Sequence, residues 1–343
     1  MPLNTDSPTR SGPTRRDVLR ILAVGGAAGV AWKLGLFGRT RVSPVLRSRE
    51  LMGTQVNLTV LGDDPAAAAD AADATLRRMS ELEDLLSRYR PDSEVSELNT
   101  TGRIQGASNA LLEVLELADR ISRLGDWAFD ITIQPVLDLY RGHLDERRGL
   151  PSGEAVERAV AGVDHRGVRI EHGTVTLDRS GMRITLDGIG KGYVVDRGVS
   201  VLNERGFPNV YVEAGGDLVA GGDKGSGTPW RIGIRNPRPG LTLQARFEAR
   251  NSAVATSGDY MQPFTPDYAQ HHILDPRTGY SPPELASSTV VGPDAATADA
   301  LATLTLVLGS RKSRELLEDL PGCEGYFVSK DLEVTRTSGF TVL

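Results

Sequence analysis

The sequence has one cysteine, Cys323, among 343 residues, and only 5% of its residues are aromatic. One cysteine excludes a disulfide framework and any structural zinc site built from cysteines. Positive charge is also in the minority, because 39 Lys and Arg face 45 Asp and Glu, which gives a formal net charge of −6. An acidic chain is a poor partner for nucleic acid or for anionic lipid surfaces. A binding site for an anionic ligand therefore needs a local source of positive charge, such as a bound metal ion.

The first 40 residues differ from the rest in charge and pattern. They carry six basic and two acidic residues, which leaves a net charge of −10 on residues 41–343. A twin-arginine pattern at 14–20 precedes an uncharged apolar run at 21–32. At about 1.5 Å per residue, this run is too short to cross about 30 Å of hydrocarbon. The pattern predicts a leader over 1–40 and export by the twin-arginine route to the periplasm or the outer face of the cytoplasmic membrane, with an uncleaved amphipathic anchor as the alternative.

After residue 50, strand-like alternation and helical periodicity occur together without strict alternation of the two. The predicted helices cover 65–86, 108–125, 189–204, 294–309 and 311–319. The predicted strands cover 51–62, 174–178, 183–186, 210–213, 218–220, 230–235, 241–249, 253–256 and 287–291, with two more at the C-terminus. Residues 88–96 are predicted as a polar turn and 141–153 as a connection. This pattern predicts an α+β fold with a mixed β-sheet core flanked by helices, as one compact catalytic unit over 41–343 or as two lobes.

Residues 186–193 bring three glycines and Lys191 to the predicted start of a helix. Glycine lets the backbone approach a ligand closely, and a helix N-terminus presents free N–H groups to phosphate oxygens. The spacing is neither that of a P-loop nor that of a Rossmann fingerprint. Phosphate binding and a plain turn into a helix both remain open.

Asp299 and Thr303 are four residues apart in an apolar predicted helix, so they share one face. A carboxylate buried there is costly unless it is paired or bound to a metal. Hard oxygen ligands in small number fit Mg²⁺ better than zinc. The alternative is an aspartate that satisfies backbone donors near a helix N-terminus.

Residues 255–279 place hydroxyls, imidazoles and carboxylates within 25 residues. A serine hydrolase is disfavoured because no Gly-x-Ser-x-Gly elbow is present. His272 is a candidate general base, since an ordinary imidazole has a pKa of about 6.5. Asp259 is the second candidate, and a purely structural imidazole is the alternative.

Taken in order, these segments, together with Met52–Thr54, the loop around Tyr89, the segment around Phe129 and the turn Ala214–Asp217, resemble the ApbE family of FAD:protein FMN transferases over residues 48–340. The resemblance implies an ApbE-like, T-fold-like architecture. It also implies a Mg²⁺-dependent enzyme that cleaves the FAD pyrophosphate, attaches FMN to a Ser or Thr of a partner protein and releases AMP. The implied acceptors are exported proteins with FMN-binding domains, in redox-driven ion pumps or electron-transfer modules.

The same resemblance implies roles for individual residues. The implied FAD contacts are Met52, Tyr89, Ala128, Phe129, Asp130, Thr185, Lys191 and Ile273, and the implied metal ligands are Asp299, Thr303 and the backbone oxygens of Gly188 and Ala302. His272 matches the imidazole of the family's His-Ile-x-Asp-Pro motif. Relatives commonly have an acid where this chain has Thr185, and the nearest carboxylate is that of Asp187.

Two other functions remain open from the sequence. An FAD pyrophosphatase would use the same flavin and metal sites with water as the acceptor, and would form FMN and AMP. A non-catalytic FAD-binding protein would bind the flavin without cleaving it. The presence of Asp299, Thr303 and His272 argues against binding alone.

Overall fold

The computed structural model describes residues 43–240 and 243–343. The predicted leader over 1–40 and the first two residues of the predicted strand 241–249 lie outside the described residues. Among the helices of the described part, none is long and apolar enough to cross a membrane.

Strands and helices follow each other irregularly along the chain. In chain order the strands are β1 (Ser43–Leu51), β2 (Thr54–Gly62), β3 (Arg103–Gln105), β4 (Val168–Glu171), β5 (Thr174–Leu177), β6 (Val210–Ala214), β7 (Asp217–Gly221), β8 (Trp230–Arg235), β9 (Leu243–Ala249), β10 (Ser252–Gly258), β11 (Leu285–Gly292), β12 (Glu324–Ser329) and β13 (Val334–Arg336). The helices are α1 (Pro65–Leu86), α2 (Glu94–Thr101), α3 (Asn109–Leu124), α4 (Gln134–Asp145), α5 (Gly153–Val160), α6 (Gly190–Glu204), α7 (Ala295–Leu308) and α8 (Ser310–Glu318). Short 3-10 turns lie at Ile131–Ile133 and His165–Gly167.

The centre of the fold is an eight-stranded sheet in the order β1-β2-β6-β7-β10-β11-β12-β13. Each neighbouring pair in it is antiparallel. Smaller sheets are formed by β3-β5-β4 and by the β8–β9 hairpin. The α+β prediction with a sheet core flanked by helices is therefore confirmed.

Both faces of the central sheet are covered. On one face, alternate β2 side chains such as Val56 and Leu58 join a core with buried residues of α1, α3, α6 and α7. On the other face, the β8–β9 hairpin buries Trp230, Ile232 and Ile234 against β7, β10 and β12. The helix α7 packs against β10 and β11 and is flanked by α6 and α8, which explains why it is apolar around nearly its whole circumference.

Several local predictions are wrong. Residue 51 ends β1 rather than opening a strand, because Met52 and Gly53 form a two-residue hairpin turn with positive φ angles of 54° and 68°. Positive φ at both central residues is the requirement of a type I′ turn. The predicted turn 88–96 contains the start of α2, the predicted connection 141–153 overlaps α4, and residues 183–186 form no strand.

Candidate active site

The first turn of α6 packs directly against the start of α7. A Cβ atom on Gly192 would lie 2.1 Å from the backbone oxygen of Ala295, so only glycine fits at this crossing. The first N–H groups of a helix have no partner within it. The Gly192 amide instead donates a hydrogen bond to Oδ2 of Asp299 at 3.1 Å. The buried carboxylate of α7 therefore lies at the N-terminus of α6, where the helix dipole favours negative charge.

Three kinds of oxygen atom converge beside this crossing. Gly188 lies against Thr303, since a Cβ atom on Gly188 would come within 2.9 Å of the Thr303 Oγ1. That hydroxyl is 3.1 Å from the Oγ of Ser257 at the end of β10. Within the described residues, no hydrogen bond to the Gly188 carbonyl is formed. A carboxylate, a hydroxyl and a free carbonyl are thus available in one place.

These donors fit Mg²⁺, which prefers oxygen ligands and usually keeps several waters and substrate phosphates in its coordination shell. Among the described residues, no group of three or more His, Cys, Asp or Glu side chains could hold a metal ion. A single carboxylate leaves coordination positions for phosphate oxygens. Ala302, the other predicted ligand, is buried, and its carbonyl accepts a hydrogen bond from the Thr305 hydroxyl at 3.2 Å.

Lys191 lies between two carboxylates of the site. Its ammonium group binds the carboxylate of Asp217, the first residue of β7, and lies 3.8 Å from Oδ1 of Asp299. Burial acts to lower the pKa of Lys191, but the two carboxylates outweigh it and raise the pKa. Burial, together with Asp217, raises the pKa of Asp299. The site therefore presents a charged lysine to any phosphate at the N-terminus of α6.

Asp187 is the centre of a second cluster of polar side chains at the site. Burial acts to raise its pKa, but Arg88 and Arg141 outweigh it and lower the pKa. Arg88 donates to Oδ2 of Asp187 through Nε at 3.1 Å and Nη2 at 2.8 Å, and Arg141 lies 3.9 Å away. Tyr89 is 65% exposed, with the Arg88 guanidinium 4.0 Å from its ring centroid. The exposed ring offers a surface for stacking a planar ligand.

His272 lies within electrostatic range of these groups. Burial lowers the pKa of its imidazole to about 4, an effect that Asp187 opposes and that Arg141 and Lys191 reinforce. The imidazole is therefore neutral at pH 7 and able to accept a proton. Asp259, the second predicted base, is fully buried, and both its carboxylate oxygens accept hydrogen bonds from Arg238, at 2.8 and 2.9 Å. This arrangement favours His272 over Asp259 as the base.

The predicted contacts at 128–130 lie behind Gly188. Ala128 and Phe129 are buried, and Phe129 lies near Gly188. Asp130 caps the adjacent 3-10 turn, because one of its oxygens accepts from the amide and hydroxyl of Thr132 and the other accepts from the amide of His165. The Asp130 carboxylate is therefore committed to local structure.

The remaining predicted contacts surround the same region. The Oγ1 of Thr185 accepts a hydrogen bond from the Asp187 amide at 3.1 Å. Ile273 is buried next to His272, and its amide donates to Nδ1 of His271 at 3.3 Å. Met52 lies in the β1–β2 turn, next to Thr54, which packs against the turn that leads into β7.

Sequence reasoning assigned no role to Asp217, Arg141 or Ser257. Asp217 follows the Gly215-Gly216 turn and Ser257 follows Thr256, so both lie in segments that carry the family resemblance. Arg141 lay in the stretch that was predicted as a connection. The sequence pattern that could have placed Arg141 in a helix is the amphipathic pattern of α4, in which Val136, Leu137 and Tyr140 form the buried side.

Comparison with known proteins connects this geometry to a family. A model of the ApbE family matches residues 52–327. A FAD:protein FMN transferase of Vibrio cholerae is 33% identical over 277 residues, which cover 78% of this chain and 82% of that protein. One of Treponema pallidum is 29% identical over 346 residues, which cover 90% of this chain and 94% of that protein.

Two solved structures share the fold. The flavin transferase ApbE from Vibrio cholerae matches with a TM-score of 0.76 and 29% identity, over 87% of this chain and 98% of that chain. The ApbE protein of Thermotoga maritima matches with a TM-score of 0.78 and 30% identity, over 86% and 97%. The family model spans every segment that builds the site described above. The chain belongs to the ApbE family.

Proposed function

We propose that the protein is a FAD:protein FMN transferase, the activity for which its relatives are named. The observation that carries this proposal is the convergence at the N-terminus of α6. There, Lys191 and the first turn of α6 lie beside the Asp299 carboxylate, the Thr303 hydroxyl and Gly188. A cation next to hard oxygen ligands is the combination that a metal-bound pyrophosphate requires.

The reaction exchanges one bond to phosphorus for another. The acceptor hydroxyl oxygen forms a bond to the FMN phosphorus, and the bond from that phosphorus to the bridging oxygen breaks, so that AMP leaves with the bridging oxygen. Mg²⁺ held by Asp299, Thr303 and the Gly188 carbonyl would neutralise negative charge on the pyrophosphate. Lys191 holds a phosphate oxygen and His272 takes the hydroxyl proton, while Tyr89 stacks on the flavin.

The test uses the full chain with FAD and Mg²⁺, with and without a purified FMN-binding domain of an electron-transfer protein. Flavin fluorescence that stays on the acceptor band in a denaturing gel supports the transferase. Removal of Mg²⁺ with EDTA should abolish the signal, and added Mg²⁺ should restore it. Unchanged FAD in every condition would contradict the proposal.

FAD pyrophosphatase is the second candidate function, because His272 can activate water as well as a hydroxyl. Free FMN and AMP in equal amounts, with no label on the acceptor, would identify this activity. Adding the acceptor separates the two functions, since a transferase forms AMP without an equal amount of free FMN.

We also propose that the protein acts outside the cytoplasmic membrane after twin-arginine export, on exported acceptors with FMN-binding domains. The support is the pattern around Arg15 and Arg16 and the apolar run that follows. Changing both arginines to lysine should retain the protein in the cytoplasm, as measured by cell fractionation. Equal export of both forms would contradict the proposal.

A further inference from the structure

The loop over residues 259–271 carries His272 at its end. The loop leaves β10 after Gly258 and closes on itself, because Pro263 pairs with His271 in an isolated β-bridge. The backbone carbonyl of Gln262 accepts a hydrogen bond from the His272 amide at 3.1 Å. The position of the imidazole therefore depends on the conformation of this loop.

Arg238 reaches the loop from a different element, the turn between β8 and β9. Its guanidinium group donates one hydrogen bond to each carboxylate oxygen of Asp259, at 2.8 and 2.9 Å. The same group lies 4.6 Å from the ring centroid of Tyr268. Arg238 therefore contacts the loop near its beginning and near its end.

The pair between Arg238 and Asp259 is buried. The Asp259 side chain is fully buried and that of Arg238 is 20% exposed. Removing two charges from water costs several kcal/mol per ion, and their attraction often only offsets that cost. A two-pronged Arg–carboxylate pair does, however, fix the distance between the two side chains and their relative orientation. The pair therefore contributes more to the geometry of the loop than to stability.

The contacts of Asp259 extend this geometry to the site. The Asp259 amide donates to the Ala286 carbonyl of β11 at 2.9 Å. The Tyr260 ring packs onto Gly258, where a Cβ atom would lie 2.4 Å from the ring. Ser257, one residue earlier, contacts Thr303. A fixed Asp259 therefore holds the loop at the end of β10, the strand that also carries Ser257, the neighbour of the proposed metal ligand Thr303.

We propose that Arg238, acting through Asp259, is a positioning residue that holds His272 in place for proton transfer. This inference rests on the proposed function and deepens it. It also gives Asp259 a role other than that of a base, since both its oxygens are engaged by Arg238.

The first test compares Arg238→Lys and Arg238→Ala with the wild-type full chain. We expect kcat for FAD cleavage to fall about 10- to 100-fold, because small misplacement of a catalytic group has effects of that size. The dissociation constant for FAD should change less than about threefold, which corresponds to less than about 0.7 kcal/mol. Circular dichroism and thermal melting establish that each variant is folded.

Arg166→Lys is the matched control. Arg166 also makes a two-pronged contact with an aspartate, donating from Nε and Nη2 to Asp164 at 2.8 and 2.9 Å, but it is 64% exposed and lies on the 3-10 turn at His165–Gly167. This variant should keep the wild-type kcat. An equal loss of kcat in Arg166→Lys, or an unchanged kcat in the Arg238 variants, would overturn the inference.

Chemical rescue separates positioning from a general structural effect. Millimolar guanidinium should restore part of the kcat of Arg238→Ala, because it can fill the vacated space and bind Asp259 with two N–H groups. Methylammonium has the charge without the planar fork and should restore much less. Absence of rescue, or a parallel loss of kcat and FAD affinity, would mean that the pair only maintains the fold.

NMR of labelled histidines provides a readout that does not need activity. The His272 signal is identified by its loss in His272→Asn. In the wild-type protein burial lowers its pKa to about 4, an effect that Asp187 opposes and that Arg141 and Lys191 reinforce. In Arg238→Lys we expect a shift toward the ordinary value of about 6.5, as the loop admits water. An unchanged titration would overturn the inference, whereas an inactive wild-type protein would count only against the proposed function.

Discussion

Asp299 performs two tasks at the α6–α7 crossing. One oxygen accepts the Gly192 amide, while the other lies 3.8 Å from Lys191. Asp299→Ala should lower FMN transfer at least about 100-fold, because metal binding contributes several kcal/mol to such reactions. The rate of AMP release measures this effect, and circular dichroism measures the fold.

Asp299→Asn is the companion variant to Asp299→Ala. Its amide oxygen can still accept the Gly192 N–H, so it should be more stable than Asp299→Ala yet equally inactive. Full activity in either variant would refute the metal assignment.

His272 is predicted to act in the chemical step rather than in binding. His272→Ala should slow FMN transfer about 100- to 10,000-fold, the usual range for a general base. Its effect on FAD affinity should be small by comparison, since the imidazole contributes a proton acceptor rather than a large contact surface. Transfer kinetics and FAD titration measure the two effects separately, and equal losses would indicate a purely structural imidazole.

At the scale of elements, the contact between α6 and α7 depends on one glycine. Gly192→Ala would place a methyl group against backbone atoms that cannot move aside. We expect a loss of about 1–3 kcal/mol in the free energy of unfolding, together with loss of activity as Asp299 is displaced. Thermal and urea unfolding measure the first effect.

Gly190→Ala in the same helix is the control for Gly192→Ala. Its nearest contact would be the Cβ of Leu186 at 3.3 Å, a side-chain atom on a neighbouring turn. It should be closer to wild type in both stability and activity. Equal losses in the two variants would show that the close approach of the helices is not the cause.

The elements that were predicted correctly are those with strong local patterns. The helix predicted at 65–86 is α1, because Asp64 caps it, Pro65 opens it and a stripe of leucines runs along its buried side. By contrast, α2 and α5 have only eight residues each, and the periodic pattern of so short a helix is weak. The edge strand β1 carries Arg47 and Arg49, whose charges hide its alternation.

The same difference applies to the site. Lys191, Asp299 and His272 are predicted site residues on the grounds of residue type, local spacing and the family resemblance. The contact that joins Gly192 to Asp299 spans 107 residues and leaves no local pattern in the sequence. The pairing of Asp217 with Lys191 and of Arg238 with Asp259 depends likewise on the sheet order, which brings distant segments together.

At the scale of the whole molecule, buried histidines contribute to the loss of stability in acid. Burial, reinforced by His272 and Lys330, lowers the pKa of His271 to about 3. Its Nδ1 accepts the Ile273 amide, which requires the neutral ring. Because the folded pKa lies below the unfolded value of about 6.5, the stability from the neutral ring is present above pH 6.5 and is lost as the pH falls toward 3.

His271→Asn tests this dependence. Between pH 7 and pH 5 the wild-type protein should lose about 2 kcal/mol of unfolding free energy more than this variant, since the variant has no proton to bind at that position. Urea titrations at the two pH values measure the difference. A difference that does not change with pH would contradict the assignment of a neutral His271.

The apolar circumference of α7 has a consequence for the lifetime of the proposed metal site. Eleven of its fourteen residues, Asp299 among them, are buried between the sheet and the neighbouring helices. Segments of this kind exchange their amide hydrogens only when the entire domain opens. The helix that carries Asp299 therefore has no route to solvent short of global opening, so the Asp299 carboxylate should stay in place when EDTA removes Mg²⁺ from the site.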